Sequence, residues 1–393
     1  MNINTTKLMV KEKIVFLSEM AFDSNWPLLK ELSNKYEVYY LVSEESFSPS
    51  LGKVIMNNDI ECATQFDIFK PFSKFMMLDH VFILRHYSKK EYGVKSIGYK
   101  LCCIFKASRF INKLNPKVIL NNGARNYQAL FMLNRSKVIC IVHDPFPHTG
   151  EKGFTRHLFE YFLKSGASKY ILFNEKQKES FIKHHNINPI KVFNSFLSKY
   201  EMISMYGSKE SLPRRKNILF WGRISPYKGI EYLIEGFKAY LKETGDVETT
   251  LTIGGGGEYY FDVDSAIKDC PQIILYKRYL TMDELADQLA QCAFAVVPYT
   301  DATQSGVIMT AFGMKRTVLA TRTGGLPEML EDGELGMLVE PKSANAIKDG
   351  IKILMGTQTL IENYEKKIEM MYFNDGPKSW AVSAKKIIEC IEA

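Results

Sequence analysis

Two cations stand between a predicted strand and a predicted helix in the segment Asn217–Phe237 (NILFWGRISPYKGIEYLIEGF). The apolar run that predicts the strand ends at Gly222, and Arg223 and Lys228 follow it in a short loop. Cationic side chains and the amides of a helix N-terminus both attract anions, so this arrangement suits a diphosphate. The alternative is that both charges simply face solvent from a loop.

A second segment, Val296–Leu330, offers a helix terminus that can bind phosphate without side-chain charge. An apolar strand ends at Pro298-Tyr299, and a polar loop leads into a helix predicted over Gly306–Met314. Ser305 is placed to cap this helix. The first amides of a helix have no acceptor within it, so those of Gly306–Ile308 can hold phosphate oxygens. An ordinary capped helix would show the same pattern.

A histidine and a pair of aspartates are the other candidates for chemistry. His143 follows the apolar run Val138–Val142 in a loop stiffened by two prolines; it can meet a sugar hydroxyl or be a structural loop residue. Asp262 and Asp264 have the spacing of a manganese-binding pair. Residues two apart on a helix do not face one another, so we interpret them as the acidic first turn of a helix over Tyr259–Lys268. We expect no metal site.

Two parallel sheets are needed to position these segments. Apolar, strand-like runs alternate with helical spacing over residues 13–193 and again over 217–320, which is typical of doubly wound α/β domains. A polar stretch with glycine and proline, 198–216, separates the two series and is predicted to be a linker. The predicted parts are a Rossmann-like domain over 1–200, a second over 201–375, and a C-terminal helix in 376–393 that packs back on the first. Ligands bind outside the carboxyl ends of the strands in such sheets, so two facing sheets would enclose a cleft.

The overall composition is that of a globular protein, because 46% of the 393 residues are hydrophobic and 24% are charged. The seven cysteines form no CxxC pair, which favours reduced thiols over a disulfide framework or a zinc site. The sequence shows no secretory signal and no apolar run of about 18 residues, so we expect a cytoplasmic protein.

Basic residues are concentrated in the first half. Residues 1–200 carry 29 Lys/Arg against 17 Asp/Glu, whereas residues 201–393 carry 22 against 27. Nine of the basic residues lie in Arg85–Lys117, where Glu91 is the one acid and aromatic and aliphatic residues are interleaved. Such a pattern indicates an amphipathic helix, which either meets an anionic membrane surface from the cytoplasmic side or is a solvated face. We expect no nucleic acid, since no recognition motif accompanies the charge.

Taken in chain order, the motifs resemble glycosyltransferase family 4. A strand ending in GR is followed by four residues, KG and a helix; further motifs read LTIGGGGE, PY, SGV, AT, GGLPE and ELGMLVEP. The likeness covers residues 215–345, and the first half is similar mainly at IVHDPFPHTGE (Ile141–Glu151). YTDATQSGV is similar to a subgroup of bacterial polysaccharide and surface-glycan transferases. The resemblance implies the GT-B architecture, an α/β fold of two Rossmann-like doubly wound domains facing a central cleft.

Roles for individual residues follow from the resemblance. Arg223 and Lys228 would neutralise the leaving diphosphate and His143 would face the donor sugar, so these three are the catalytic candidates. The donor-binding candidates are Gly222, Arg223, Lys228, Arg278, Tyr299, Ser305, Gly306, Val307, Thr310 and Glu328. The acceptor-binding candidates are Asp144, His148 and Arg125. No metal or resident cofactor is implied, since the nucleotide-diphosphate sugar is a co-substrate.

Two positions depart from the family pattern, which usually has glutamates eight residues apart around the helix at Gly306. Ala302 and Thr310 stand there instead, although the second glutamate commonly holds the nucleotide ribose. Met20, Ala21 and Phe22 replace the Gly-Gly loop that often follows the first strand.

The predicted function is metal-independent transfer of a sugar from a nucleotide diphosphate to a glycan or lipid-linked acceptor. The resemblance implies retention of the anomeric configuration and a place in polysaccharide or surface-glycan biosynthesis. A catalytically weak scaffold that binds a glycan or partner stays open because of Ala302 and Thr310, and so does a nucleotide-sugar epimerase. A nicotinamide-dependent dehydrogenase needs GxGxxG after the first strand, and Ser18–Asn25 contains no glycine.

Overall fold

The computed structural model describes residues 11–123, 135–143, 167–208, 212–302 and 304–393. These form two compact units that divide between Phe196 and Leu197, and the last ten residues, Ala384–Ala393, belong to the first unit. Among the described helices, none has both the length and the apolar character that crossing a bilayer demands.

The first unit is built on an eight-stranded sheet with the order β3-β4-β2-β1-β5-β6-β7-β8. Its strands are β1 (Lys13–Ser18), β2 (Glu37–Ser43), β3 (Ile60–Cys62), β4 (Val81–Leu84), β5 (Val118–Asn122), β6 (Val138–Val142), β7 (Lys169–Leu172) and β8 (Val192–Asn194). Neighbours pair in parallel except β3 with β4. The chain leaves β1 towards β2 on one side and β5 on the other, so the topological switch point lies between β1 and β5.

Helices cover this sheet and extend its core. They are α1 (Phe22–Ser33), α2 (Glu44–Leu51), α3 (Lys89–Tyr92), α4 (Lys95–Leu114) and α5 (Lys178–His185). The buried side of α4, which includes Cys103, Ala107 and Ile111, packs in one cluster with the strands. Strands β3 and β4 were not predicted from the sequence. They are short, and the chain between them forms three 3-10 helices. The two-residue alternation that is typical of a strand is therefore not visible in this part of the sequence. The 3-10 helices are Ala63–Gln65, Asp67–Lys74 and Leu78–His80.

The second unit has a six-stranded, wholly parallel sheet with the order β11-β10-β9-β12-β13-β14. Its strands are β9 (Asn217–Arg223), β10 (Thr250–Gly256), β11 (Ile273–Tyr276), β12 (Phe294–Val297), β13 (Val318–Thr321) and β14 (Met337–Val339). The switch point of this sheet lies between β9 and β12. The predicted pair of Rossmann-like α/β domains is thus confirmed.

The helices of the second unit alternate with its strands. They are α6 (Ile230–Thr244), α7 (Val263–Ile267), α8 (Met282–Gln291), α9 (Gly306–Gly313), α10 (Leu326–Met329), α11 (Ala344–Gly356) and α12 (Gln358–Tyr372). The last helix, α13 (Trp380–Glu392), has residues in both units. The predicted helix Tyr259–Lys268 is wrong in extent: it forms only as α7, because Asp262 in a non-helical conformation caps it and starts it late.

The first part of the predicted linker, residues 198–208, is a packed part of the second unit rather than a loose linker. Residues Glu201–Met205 form a 3-10 helix. The Ser198 hydroxyl donates to the Lys378 carbonyl at 2.6 Å, and the Trp380 indole N–H donates to the Lys199 carbonyl at 2.7 Å. The polar composition that suggested a linker therefore serves hydrogen bonds to the chain before and within α13.

Helix α13 begins in the second unit and ends in the first. Within the first unit, Ile387 and Cys390 are buried, and Lys169 donates to the Cys390 carbonyl at 2.9 Å. The Glu392 carboxylate accepts from Lys117 at 3.0 Å and from the Tyr36 hydroxyl. These contacts make the last helix part of the first unit's core.

Candidate functional site

The loop after β9 and the start of α9 meet at the switch point of the second sheet. Gly222, the residue before the end of β9, has a φ of +130°, a backbone conformation that favours glycine. Arg223, which was predicted to lie in the following loop, is the last residue of the strand. A Cβ at Gly222 would lie 4.0 Å from a methyl carbon of Val307, in the first turn of α9. The strand end that carries Arg223 therefore lies against the N-terminus of that helix.

The loop after β9 is also pressed onto the loop after β12. Gly229 adopts a φ of +63°, and a Cβ there would overlap the carbonyl oxygen of Pro298. The amide of Thr300 donates to the Tyr227 carbonyl at 2.7 Å. Glycine at 229 thus permits a close approach that holds the two loops together.

Lys228 is buried where the loop after β9 meets the loop after β12; we call this place the Lys228 junction. Its ammonium nitrogen lies 3.7 Å from the ring centroid of Tyr299 and 4.9 Å from that of Tyr227. Within the described part of the chain, no carboxylate pairs with it. Burial, and next the charge of Arg223, lower the pKa of Lys228 to about 7. A cation held this way gains most from an anion that binds beside it.

Ser305 caps α9, as predicted. Its side-chain oxygen accepts from the amide of Ile308 at 3.4 Å and lies 3.5 Å from the hydroxyl of Tyr299, the ring that also contacts Lys228. Helix geometry leaves the first two amides, those of Gly306 and Val307, without an acceptor inside the helix. The Thr310 hydroxyl donates to the Gly306 carbonyl at 2.8 Å, so it lies one turn further along the same side of the helix.

The loop after β13 completes this edge of the sheet. Gly324 has a φ of +50°, and a Cβ there would overlap the Ala302 carbonyl, which accepts from the amide of Gly325 at 3.0 Å. Ala302, one of the two positions that depart from the family pattern, therefore anchors this loop through its backbone. The next turn, α10, carries the half-buried Glu328 beside the loop that holds Ser305.

Arg278 is engaged elsewhere. Its guanidinium makes a bidentate ion pair with Glu284, at 2.7 and 2.6 Å, and lies over the Tyr276 ring at 5.4 Å. Glu284 also closes a capping box with Thr281 at the start of α8. The described contacts bring together Gly222, Arg223, Lys228, Tyr299, Ser305, Gly306, Val307 and Thr310, but not Arg278. Glu328 is linked to this group only through its neighbour Met329, whose sulfur accepts from the Ser305 amide.

The aspartate pair is structural, which confirms the interpretation as an acidic first turn. Asp262 accepts from the amide of Ser265 at 3.1 Å and from its hydroxyl at 2.7 Å, which caps α7. Asp264 pairs with Lys277.

The glycine run at the end of β10 has a packing cause that the sequence alone did not reveal. Side chains of the neighbouring segments occupy the space where its Cβ atoms would lie: Leu280 over Gly254, Ile224 over Gly255 and Tyr279 over Gly256. Arg223 pairs with Gly256 across the sheet, and Tyr279 remains 58% exposed. An exposed aromatic ring therefore lies next to the strand end that carries Arg223.

A polar network occupies the switch point of the first sheet and reaches His143. The Nε2 atom of His143 lies 2.6 Å from the Asn122 side-chain oxygen, and the Asn122 amide donates to Asn25 at 2.7 Å. Asn25 in turn donates to Ser18 at 3.0 Å and to the Tyr40 hydroxyl at 3.1 Å. Because Asn122 donates to Asn25, its oxygen is an acceptor, and His143 donates from Nε2.

Sequence reasoning missed the buried asparagines of this network. Asn25 and Asn122 are 1% and 2% exposed, which is unusual for asparagine and is compensated by the hydrogen bonds of this network. The Asn121-Asn122 pair at the end of an apolar strand was the available signal. Ala21, where the family often has glycine, adopts a φ of +57°. The acceptor candidates Asp144, His148 and Arg125 lie outside the described residues.

The two Rossmann-like units define the class of the fold, which is GT-B. Residues 215–357, which include the whole Lys228 junction, match the family model described as glycosyl transferases group 1.

Named relatives extend this likeness. The chain is 30% identical over 144 residues to an uncharacterized glycosyltransferase of Methanocaldococcus jannaschii, covering 36% of this chain and 39% of that protein. It is 24% identical over 251 residues to the D-inositol 3-phosphate glycosyltransferase of Corynebacterium glutamicum, covering 59% of each. The matches thus span less than two thirds of either relative. The crystal structure of Anabaena HepE in complex with UDP has a TM-score of 0.66 at 13% identity, covering 97% of this chain and 99% of that one.

Proposed function

We propose that this protein is a glycosyltransferase that binds a nucleotide-diphosphate sugar through its second unit. The observation that carries the proposal is the buried Lys228, which has Arg223 and the N-terminus of α9 beside it at the switch point of the sheet. Two cations lie at this edge together with two amides that have no acceptor inside their helix, and residues 215–357 match a glycosyltransferase family model. A diphosphate is the ligand that such a site fits.

In the proposed reaction, the bond between the anomeric carbon and the diphosphate oxygen breaks, and negative charge develops on the departing diphosphate. Arg223, Lys228 and the amides of Gly306 and Val307 stabilise that charge, so no metal ion is required. The acceptor hydroxyl attacks from the side of the leaving group and passes its proton to a departing phosphate oxygen. The anomeric configuration is then retained.

The acceptor is proposed to be a glycan or a lipid-linked sugar of polysaccharide or surface-glycan biosynthesis, bound by the first unit. His143 is proposed to orient a sugar hydroxyl, because Asn122 fixes which ring nitrogen carries the proton. UDP is the first nucleotide to test, since the Anabaena neighbour was solved with it. An anionic membrane surface is a further proposed partner of the first unit.

Calorimetric titration with UDP and other nucleoside diphosphates tests donor binding. Wild type is expected to bind one of them, and Arg223→Ala to weaken it by about tenfold or more, as for a lost hydrogen bond to a charged group. Lys242→Ala removes an exposed lysine of the same unit and should leave binding unchanged. If no nucleoside diphosphate binds wild type, the proposal is wrong.

Transfer itself is measured with the matching nucleotide sugars and a glycan acceptor panel, with and without a chelator. We expect transfer at equal rates in both, with retention in the product. Strict dependence on added metal, or an inverted linkage, contradicts the mechanism. Binding without transfer or donor hydrolysis would favour the scaffold that Ala302 and Thr310 suggested, and an altered sugar without an acceptor would favour an epimerase.

A further inference from the structure

Helix α4 exposes an unusual amount of apolar surface. Val94, at its N-cap position, is 81% exposed, and Ile97, Leu101 and Phe105 are 63%, 57% and 62% exposed. Spacings of three, four and four residues place these side chains in one row along the helix. A single exposed apolar residue is ordinary, but a row of four bulky ones marks a surface that another body covers.

The same helix is also buried on its other side, so this row is not a misplaced core face. Cys103, Ala107 and Ile111 are at most 1% exposed and pack on the strands of the first sheet. One side of α4 is therefore buried in the core of the first unit, and the opposite side is exposed to solvent.

Basic residues flank the apolar row. Lys95, Arg109 and Lys113 lie beside it on the exposed side, and we call these three together with Val94, Ile97, Leu101 and Phe105 the outer face of α4. The sequence Lys95–Leu114 contains no Asp or Glu. Two acids from neighbouring segments already form ion pairs: Asp59 pairs with Lys106 of α4, and Glu91 pairs with Lys53.

We propose that the outer face of α4 docks the protein onto an anionic lipid bilayer, with the helix lying in the plane of the membrane surface. The apolar row would enter the boundary between headgroups and acyl chains, while the basic flank meets lipid phosphates. Charge complementarity favours this occupant over a second copy of the chain. A two-fold interface would bring the same basic residues of both copies together.

Vesicle co-sedimentation of the full chain tests the docking, with phosphatidylcholine vesicles and with phosphatidylcholine–phosphatidylglycerol vesicles. Wild type is expected to bind the anionic vesicles more tightly, and added salt to weaken binding. K95Q/R109Q/K113Q should lower the partition coefficient roughly 100-fold, from about fivefold per charge. The control K191Q/K242Q/K342Q has the same net charge, removed from exposed sites elsewhere, and should bind like wild type.

The apolar row is tested by I97S/L101S/F105S, which should lose binding to both vesicle types. Its control, I190S/V247S/M370S, removes equally exposed apolar residues that lie off α4 and should keep binding. All substituted side chains are exposed, so the fold should persist, and a circular dichroism melt checks this. As a local readout, Phe105→Trp should shift its emission to shorter wavelength on anionic vesicles.

The proposal is overturned if wild type ignores anionic vesicles, or if the α4 variants bind as well as their controls. It is also overturned if wild type is a dimer by analytical ultracentrifugation and I97S/L101S/F105S is a monomer, because the face then belongs to a second copy. Vesicle binding needs neither nucleotide nor acceptor. Its failure would leave the proposed sugar transfer untouched, and the reverse also holds.

Discussion

At the scale of single residues, the buried charge of Lys228 lowers the stability of the ligand-free protein and is expected to favour the binding of a nucleoside diphosphate. Its folded pKa, about 7, lies below the 10.5 of an ordinary lysine. The unfolded chain therefore binds more protons between these values. The free energy that the buried charge costs the folded protein has its full value below about pH 7. This cost shrinks as the pH rises towards 10.5.

Lys228→Met should therefore act with opposite sign on stability and on binding. Removing the buried cation is expected to raise the free energy of unfolding by about 1 kcal/mol or more near neutral pH. This gain in the free energy of unfolding should be larger at about pH 6 than at about pH 9, because Lys228 is fully charged only at the lower pH. The other titratable groups are the same in both proteins, so their pH dependence cancels in the difference. Nucleoside diphosphate binding should fall at least tenfold. Denaturant melts and calorimetry measure both.

Lys242→Met is the matched control for this prediction, since it removes an exposed lysine of the same unit. It should change neither quantity. A Lys228→Met protein that is less stable at every pH would show that the contact with the Tyr299 ring outweighs desolvation, and that the burial argument fails.

Residue types showed where to look for this chemistry, but not its environment. Two cations in a loop after an apolar strand were predicted from local pattern alone, although Arg223 proves to be the last residue of the strand itself. The burial of Lys228 depends on Tyr299, 71 positions later, and on a glycine at 229 that admits a distant carbonyl. Likewise, His143 was predicted from its place after a strand, whereas its partner Asn122 belongs to a different strand. Contacts of this range leave no periodic trace in a sequence.

At the scale of elements, the N-terminus of α9 is proposed to hold phosphate through peptide nitrogens alone. Gly306→Pro removes one of these donors, and proline is tolerated at the first position of a helix. The preceding Ser305 is already extended, with φ −136° and ψ 108°, as a residue before proline must be. We expect Gly306→Pro to weaken nucleoside diphosphate binding by about tenfold, measured by calorimetry.

Gly306→Ala supplies the control for that substitution. Both variants place a Cβ about 3.3 Å from the Tyr200 ring, but only proline deletes the amide. The difference between the two therefore isolates the hydrogen bond from any crowding. Equal affinities of the two variants would remove this amide from the site.

Elements were predicted best where their apolar period is undisturbed. Strand β6 has the bounds of the predicted apolar run, Val138–Val142, because a continuous apolar run forms a buried parallel strand. Helix α1, in contrast, begins at Phe22 directly after Ala21, which is in a left-handed conformation. Nothing in the local pattern distinguishes that entry from a helix that starts a turn later.

At the scale of the whole molecule, the two units should respond to different perturbations. A nucleoside diphosphate that binds the second unit should raise the melting temperature of that unit. At a ligand concentration of 100 times the dissociation constant, the free energy of unfolding should increase by about 2.7 kcal/mol. Ile387→Ala should instead lower the melting of the first unit, because deleting a fully buried isoleucine costs about 2–5 kcal/mol. Hydrogen exchange followed by mass spectrometry assigns each change to its unit.

The exposed Lys385 of the same helix provides the comparison, since Lys385→Ala should leave both transitions in place. Loss of protection in β9 and β12 of the Ile387→Ala protein, as large as in β5 and β6, would mean that the units unfold as one.

The membership of the last ten residues in the first unit has a consequence for biosynthesis. A chain emerges from the ribosome with its N-terminal domain first, and such domains commonly fold before the rest is made. Here residues up to Phe196 emerge early, yet Ile387, Cys390 and Ile391, which close their core, follow only after the whole second unit. The nascent first unit must therefore wait with an open apolar surface until residues 384–393 have emerged, and it is in that interval that we expect chaperones to engage it.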